Sequence, residues 1–128
     1  YDYGIMKIDN QGNVIWHQYE NMYGCAGVIP DKQNGYVSFG STGPVVQAYD
    51  VKRLDSIGGL IWSRNLGNCP VQPSGFYYCV DVAIMPDSNY LVATNGPDWQ
   101  IMKIDKDSGD IIWAKYYAVD PYLSLIHI

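Results

Sequence analysis

The chain has 128 residues, 48% of them hydrophobic and 16% charged, with 12 Tyr and 4 Trp. That apolar content suffices for a sizeable core and excludes an intrinsically disordered chain. A net charge of −5 argues against non-specific nucleic-acid binding, which needs Lys and Arg to displace phosphate counterions, and against docking on anionic lipid.

In chain order, short β-branched and aromatic runs predict strands at 4–9, 14–19, 36–42, 45–51, 60–66, 90–95, 99–105 and 110–117. Asn10–Asn13, Lys32–Gly35 and Lys106–Gly109 read as hairpin turns, because Gly and Asn accept the positive φ such turns demand. No window holds an apolar stripe at helical spacing, and no apolar run approaches the roughly 20 residues of a membrane helix. Alternation is impure: in Ile101–Asp105, Lys103 shares a face with Ile101, while Met102 and Ile104 point the other way. Such strands fit a sheet covered on both faces. Segments 26–31 and 80–86 combine Ala26, Gly27 and Ala83 with a later Pro, and small side chains suit a crowded innermost strand.

An internal repeat sets the architecture. Gly12-Asn-Val-Ile-Trp16, Gly58-Gly-Leu-Ile-Trp62 and Gly109-Asp-Ile-Ile-Trp113 share the spacing Gly-x-x-x-Trp. A second echo joins Val28–Gly40 to Ala83–Thr94. The Trp residues recur roughly every 50 positions, close to the period of a four-stranded β-propeller blade. The predicted fold is therefore all-β, a partial propeller of about two and a half antiparallel blades: a half blade at 3–19 and blades at 25–66 and 79–117. The chain starts with Tyr1, and the expectation is a start inside a longer reading frame. Leu123–Ile128 reads LSLIHI and resembles a translated sequencing-library adapter. It is expected to be a non-native tail, with a short terminal strand as the alternative.

Asp105-Lys-Asp-Ser-Gly109-Asp-Ile-Ile-Trp113 resembles the D-x-x-T-G-x-x-x-W motif of pyrroloquinoline-quinone-like propellers, with Ser108 in place of Thr. Asp9–Trp16 matches with one residue fewer, and Leu54–Trp62 matches more loosely. The resemblance implies a docking role between neighbouring blades for Trp16, Trp62 and Trp113, each near a turn containing Gly12, Gly58 or Gly109. The run from Tyr1 through Gly40 is also similar to a repeat of large secreted bacterial proteins. That likeness implies an extracellular or cell-surface location, with the periplasm as an alternative.

Candidate sites are few. Asp105 and Asp107 alternate as oxygen ligands might in a calcium loop, but the preferred reading is a hairpin turn with solvated carboxylates, since the sister turn Asn10–Asn13 has no such cluster and no bidentate Glu follows at EF-hand distance. No zinc spacing is present. Cys69 and Cys79 bracket the loop CPVQPSGFYYC. If the chain is exported, a disulfide between them would stabilise by about 3 kcal/mol through loop closure; the alternative is two buried thiols. His17 follows Trp16 on the opposite strand face and is expected at the surface or at a blade interface. No nucleophile–base pairing and no phosphate-binding glycine loop is recognisable, so no catalytic or cofactor-binding residue is assigned. The expected function is a non-enzymatic binding scaffold for a protein or glycan ligand. The alternatives implied by the propeller resemblance are a fragment of a quinoprotein dehydrogenase or of an outer-membrane assembly scaffold.

Overall fold

The computed structural model describes residues 3–20, 24–42, 48–68, 80–95 and 99–117. These residues form ten strands and no helix. The strands are β1 (Tyr3–Ile8), β2 (Val14–Glu20), β3 (Gly24–Pro30), β4 (Tyr36–Thr42), β5 (Ala48–Leu54), β6 (Leu60–Asn68), β7 (Val80–Ile84), β8 (Tyr90–Asn95), β9 (Trp99–Ile104) and β10 (Ile111–Tyr117). They make three antiparallel sheets in chain order: β1-β2, then β3-β4-β5-β6, then β7-β8-β9-β10. Every pairing joins sequence neighbours, so each sheet is a simple meander.

The expected strands are present with one notable displacement. The strand placed at 45–51 runs from Ala48 to Leu54. The pair Lys52-Arg53 reads as a strand end in sequence, yet every residue of β5 is buried. The middle sheet is covered on both sides, and its cations find partners there. The adapter-like tail at 123–128 and the loop carrying Cys69 and Cys79 lie outside the described residues.

The main core lies between the second and third sheets. Val37, Phe39, Tyr49 and Val51 from one meet Val82, Tyr90, Val92, Met102 and Ile104 from the other. Within the second sheet the Phe39 ring lies over its cross-strand partner Gly27, where an added Cβ would sit 2.6 Å from it. Alternation then puts Tyr36, Ser38 and Leu54 on the opposite face of the second sheet, toward the first. Trp16 of the first sheet packs edge-on against Tyr36 there, with ring centroids 5.6 Å apart.

Candidate functional site

Three hairpins share one local design. Each turn begins with an Asp whose carboxylate accepts backbone N–H groups of the same turn. Asp9 accepts from Gln11 and Asn13, Asp55 from Ile57 and Gly59, and Asp105 from Asp107 and Ser108. Asp55, in the loosest of the three sequence matches, therefore does the same work as the other two. The glycines that follow take left-handed backbone, with φ of 88° at Gly12, 83° at Gly58 and 74° at Gly109. A side chain would be strained there.

Each hairpin then bulges at the residue before its Trp. Trp16 lies opposite Lys7, Trp62 opposite Arg53 and Trp113 opposite Lys103, while Ile15, Ile61 and Ile112 drop out of register. Such a bulge re-aims the strand. It leaves those isoleucines 54%, 47% and 50% exposed and turns Trp16 and Trp62 toward the next sheet.

Two of the three indoles are seated. Trp16 lies on Gly58, where an added Cβ would come within 2.8 Å of the ring, and donates its N–H to the Ser56 carbonyl at 3.2 Å. Trp62 repeats both contacts one sheet later, lying on Gly109 and donating to the Lys106 carbonyl at 2.9 Å. The residue two places on also reaches the turn, though at a different carbonyl in each joint. Gln18 donates to the Ile57 carbonyl at 3.5 Å, and Arg64 to the Gly109 carbonyl at 2.6 Å. The indole ring covers a surface only glycine can offer, and its polar edge is satisfied.

Around the second joint sits a polar cluster absent from the sequence reading. Arg53, 9% exposed, pairs with Asp31 at 3.2 Å and donates to the Lys106 carbonyl at 2.8 Å. It also bonds the Gln33 side chain and faces Asp107 at 3.5 Å. Tyr90 of the third sheet donates its hydroxyl to Asp31 at 3.3 Å and packs its ring on Trp62, centroids 5.8 Å apart. Burial pushes the Asp31 carboxyl up, but N–H groups of Gly35 and Gln33 and the Arg53 guanidinium outweigh it and hold the pKa below the usual 3.8. Burial, then the Asp31 charge, pushes the Tyr90 phenol far above its ordinary range. The signal that could have exposed this cluster is the cation opposite each Trp: Lys7, Arg53 and Lys103.

The remaining candidates fare differently. Oδ1 of Asp105 already takes the N–H groups of Asp107 and Ser108 and the Ser108 hydroxyl, and those bonds, Ser108 foremost, keep its pKa low. Asp107 pairs with Lys106 at 2.6 Å and faces Arg53. Oδ1 of Asp105 is thus engaged within its own turn, and Asp107 faces the joint. His17 is exposed beside Tyr19, which it meets edge-on at 5.6 Å. A cavity of about 390 Å³ lies between the first two sheets, lined by Ile5, Lys7, Trp16, Val28 and Tyr36 among others. The Lys7 ammonium sits 5.5 Å from the Tyr36 ring centre, so this cleft presents aromatic faces next to a cation.

These features define a class: an all-β chain of stacked antiparallel meanders with a repeated joint. No family model and no curated protein matches the chain. Among solved structures it is similar to a protein of unknown function from Bacteroides caccae, with a TM-score of 0.54 and 19% identity over 84% of this chain. The likeness is one of fold, and the chain spans 34% of that neighbour.

Proposed function

We propose that the chain is an arc of a β-propeller, a repeat segment of the pyrroloquinoline-quinone-like kind, and that it serves a secreted or cell-surface protein as a binding scaffold. The observation that carries this reading is the joint made twice, an indole lying on a turn glycine and donating to the carbonyl of the residue after the turn's Asp. A repeated joint between four-stranded meanders is what stacks repeats at a constant angle, and radial repetition of such sheets builds a ring. The cleft at Trp16, Tyr36 and Lys7 is the proposed contact surface. Aromatic faces beside an ammonium suit the apolar face and hydroxyls of a sugar, or an exposed protein side chain.

Two measurements test the two halves of the proposal. Electron microscopy of the protein carrying all its repeats should give ring-shaped averages with four to eight radial units; an open or linear stack would sink the propeller. Glycan arrays and pull-downs from surface proteins should return a ligand whose binding weakens in Lys7→Glu. A ligand indifferent to Lys7 and Tyr36 would remove the cleft from the reading.

A further inference from the structure

We propose that the Asn34–Gly35 step, at the exposed tip of the β3–β4 hairpin, closes spontaneously to a succinimide, and that its isoaspartyl product loosens the joint between the second and third sheets. Neither a ring nor a ligand is required.

The tip repeats the turn found in the Trp hairpins. Asp31 accepts the N–H groups of Gln33 and Gly35, two and four places on, as Asp9 and Asp55 do in their own turns. The left-handed place that Gly12 and Gly58 hold there is held here by Asn34, with φ of 60°. Asn is one of the few side chains that tolerate such backbone, and it is chemically labile. The next residue is a glycine, whose nitrogen no Cβ shields. The side-chain amides of Asn13 and Asn89 donate to Asp9 and Asp87. The Asn34 amide is exposed and makes no hydrogen bond among the described residues, so nothing restrains it from closing on the adjacent nitrogen. Proximity of this kind replaces a bimolecular encounter.

In the closing step the Gly35 nitrogen bonds to the Asn34 side-chain amide carbon. The side-chain nitrogen leaves as ammonia, carrying away the Gly35 proton. Water then opens the ring at either carbonyl. One opening gives an aspartyl residue with the original backbone. The other gives an isoaspartyl residue, whose backbone runs through the former side chain and is one carbon longer.

The longer backbone has no room. Gly35 is buried, and even a Cβ there would collide with the Leu54 carbonyl oxygen. A displaced Gly35 takes its N–H away from Asp31, where it now donates at 2.8 Å. Asp31 is the carboxylate that holds Arg53 at 3.2 Å and the Tyr90 hydroxyl at 3.3 Å. A change at the exposed tip therefore reaches the buried joint through one carboxylate.

The full chain held in warm, mildly alkaline buffer tests this. Peptide mapping should find NH replaced by O at Asn34, separately from any change at the other Asn-Gly pair, Asn95–Gly96. Chromatography should resolve two products at Asn34. The aspartyl form should unfold at the urea midpoint of the parent, and the isoaspartyl form at a lower one. Asn34→Gly, which installs the residue of the sister turns, should yield neither product. An Asn34 peptide that stays unchanged in the folded chain overturns the site. Equal urea midpoints for the two products overturn its effect on the joint.

Discussion

The first and last hairpins both contain Ile-Met-Lys-Ile-Asp, at 5–9 and 101–105. In the last, Met102 and Ile104 are 0% exposed; in the first, their counterparts Met6 and Ile8 are 60% and 55% exposed. On the other faces the contrast reverses. Ile5 is 6% exposed and Trp16 is docked, whereas Ile101 is half-buried and Trp113 stands open. The same residues on the same strand are core or surface according to which side carries a neighbouring sheet. Burial here belongs to the stacking order and not to the strand.

The sharpest way to break that comparison is to remove an indole. Trp62→Ala should cost about 3 kcal/mol or more, since it empties a packed site and strands the Lys106 carbonyl, which then keeps only Arg53. Trp113→Ala, measured by urea unfolding in dilute solution, should stay within about 0.5 kcal/mol, as for an open surface position. Equal losses at the two sites would mean that the docked indole adds no stability.

Next come the methionines. Met102→Ala should cost about 2–5 kcal/mol, and Met6→Ala about 0.5 kcal/mol or less. A large loss at Met6 would place it in contacts the monomer does not make. The glycines sharpen the point further, because Gly12 and Gly109 share the left-handed strain. Gly12→Ala should cost about 1 kcal/mol for backbone alone. Gly109→Ala adds a Cβ that would come 2.8 Å from the Trp62 ring and should cost about 1–3 kcal/mol more. Thermal midpoints in matched buffers would read the difference.

The smallest effect concerns pH. The folded-state pKa of Asp31 lies below the usual 3.8, so its contribution is full above the unfolded value and is lost as pH falls through the folded one. The urea midpoint should therefore drop below about pH 4, and Asp31→Asn should flatten that drop. An unchanged acid limb in the variant would show that Arg53 and Tyr90 do not depend on the Asp31 charge.

Part of this is legible in the sequence. The Gly-x-x-x-Trp spacing located all three hairpins, because turn conformation is a local property of Gly, Asn and Asp. The joint's polar half was not readable. Arg53 in Val-Lys-Arg-Leu looks like a solvated cation, and it is buried because Asp31, the Lys106 carbonyl and Gln33 come to it from other turns. The Pro-Asp pairs of the second echo are out of register. Pro30 closes β3 opposite Tyr36, while the matching place before Tyr90 belongs to Ile84. Asp31 and Asp87 are therefore not equivalent, and turn registry decided which carboxylate reaches the joint.

Strand positions, turn chemistry and the repeat follow from the sequence by itself, since each depends on residues only a few places apart. Whether Met6 or Met102 is core, whether Trp62 or Trp113 is seated, and whether Arg53 is paired were decided by the tertiary structure. Those outcomes depend on a second sheet lying against the first. The hydrophobic effect acts on surface removed from water, and no strand can state which of its faces a neighbour will cover.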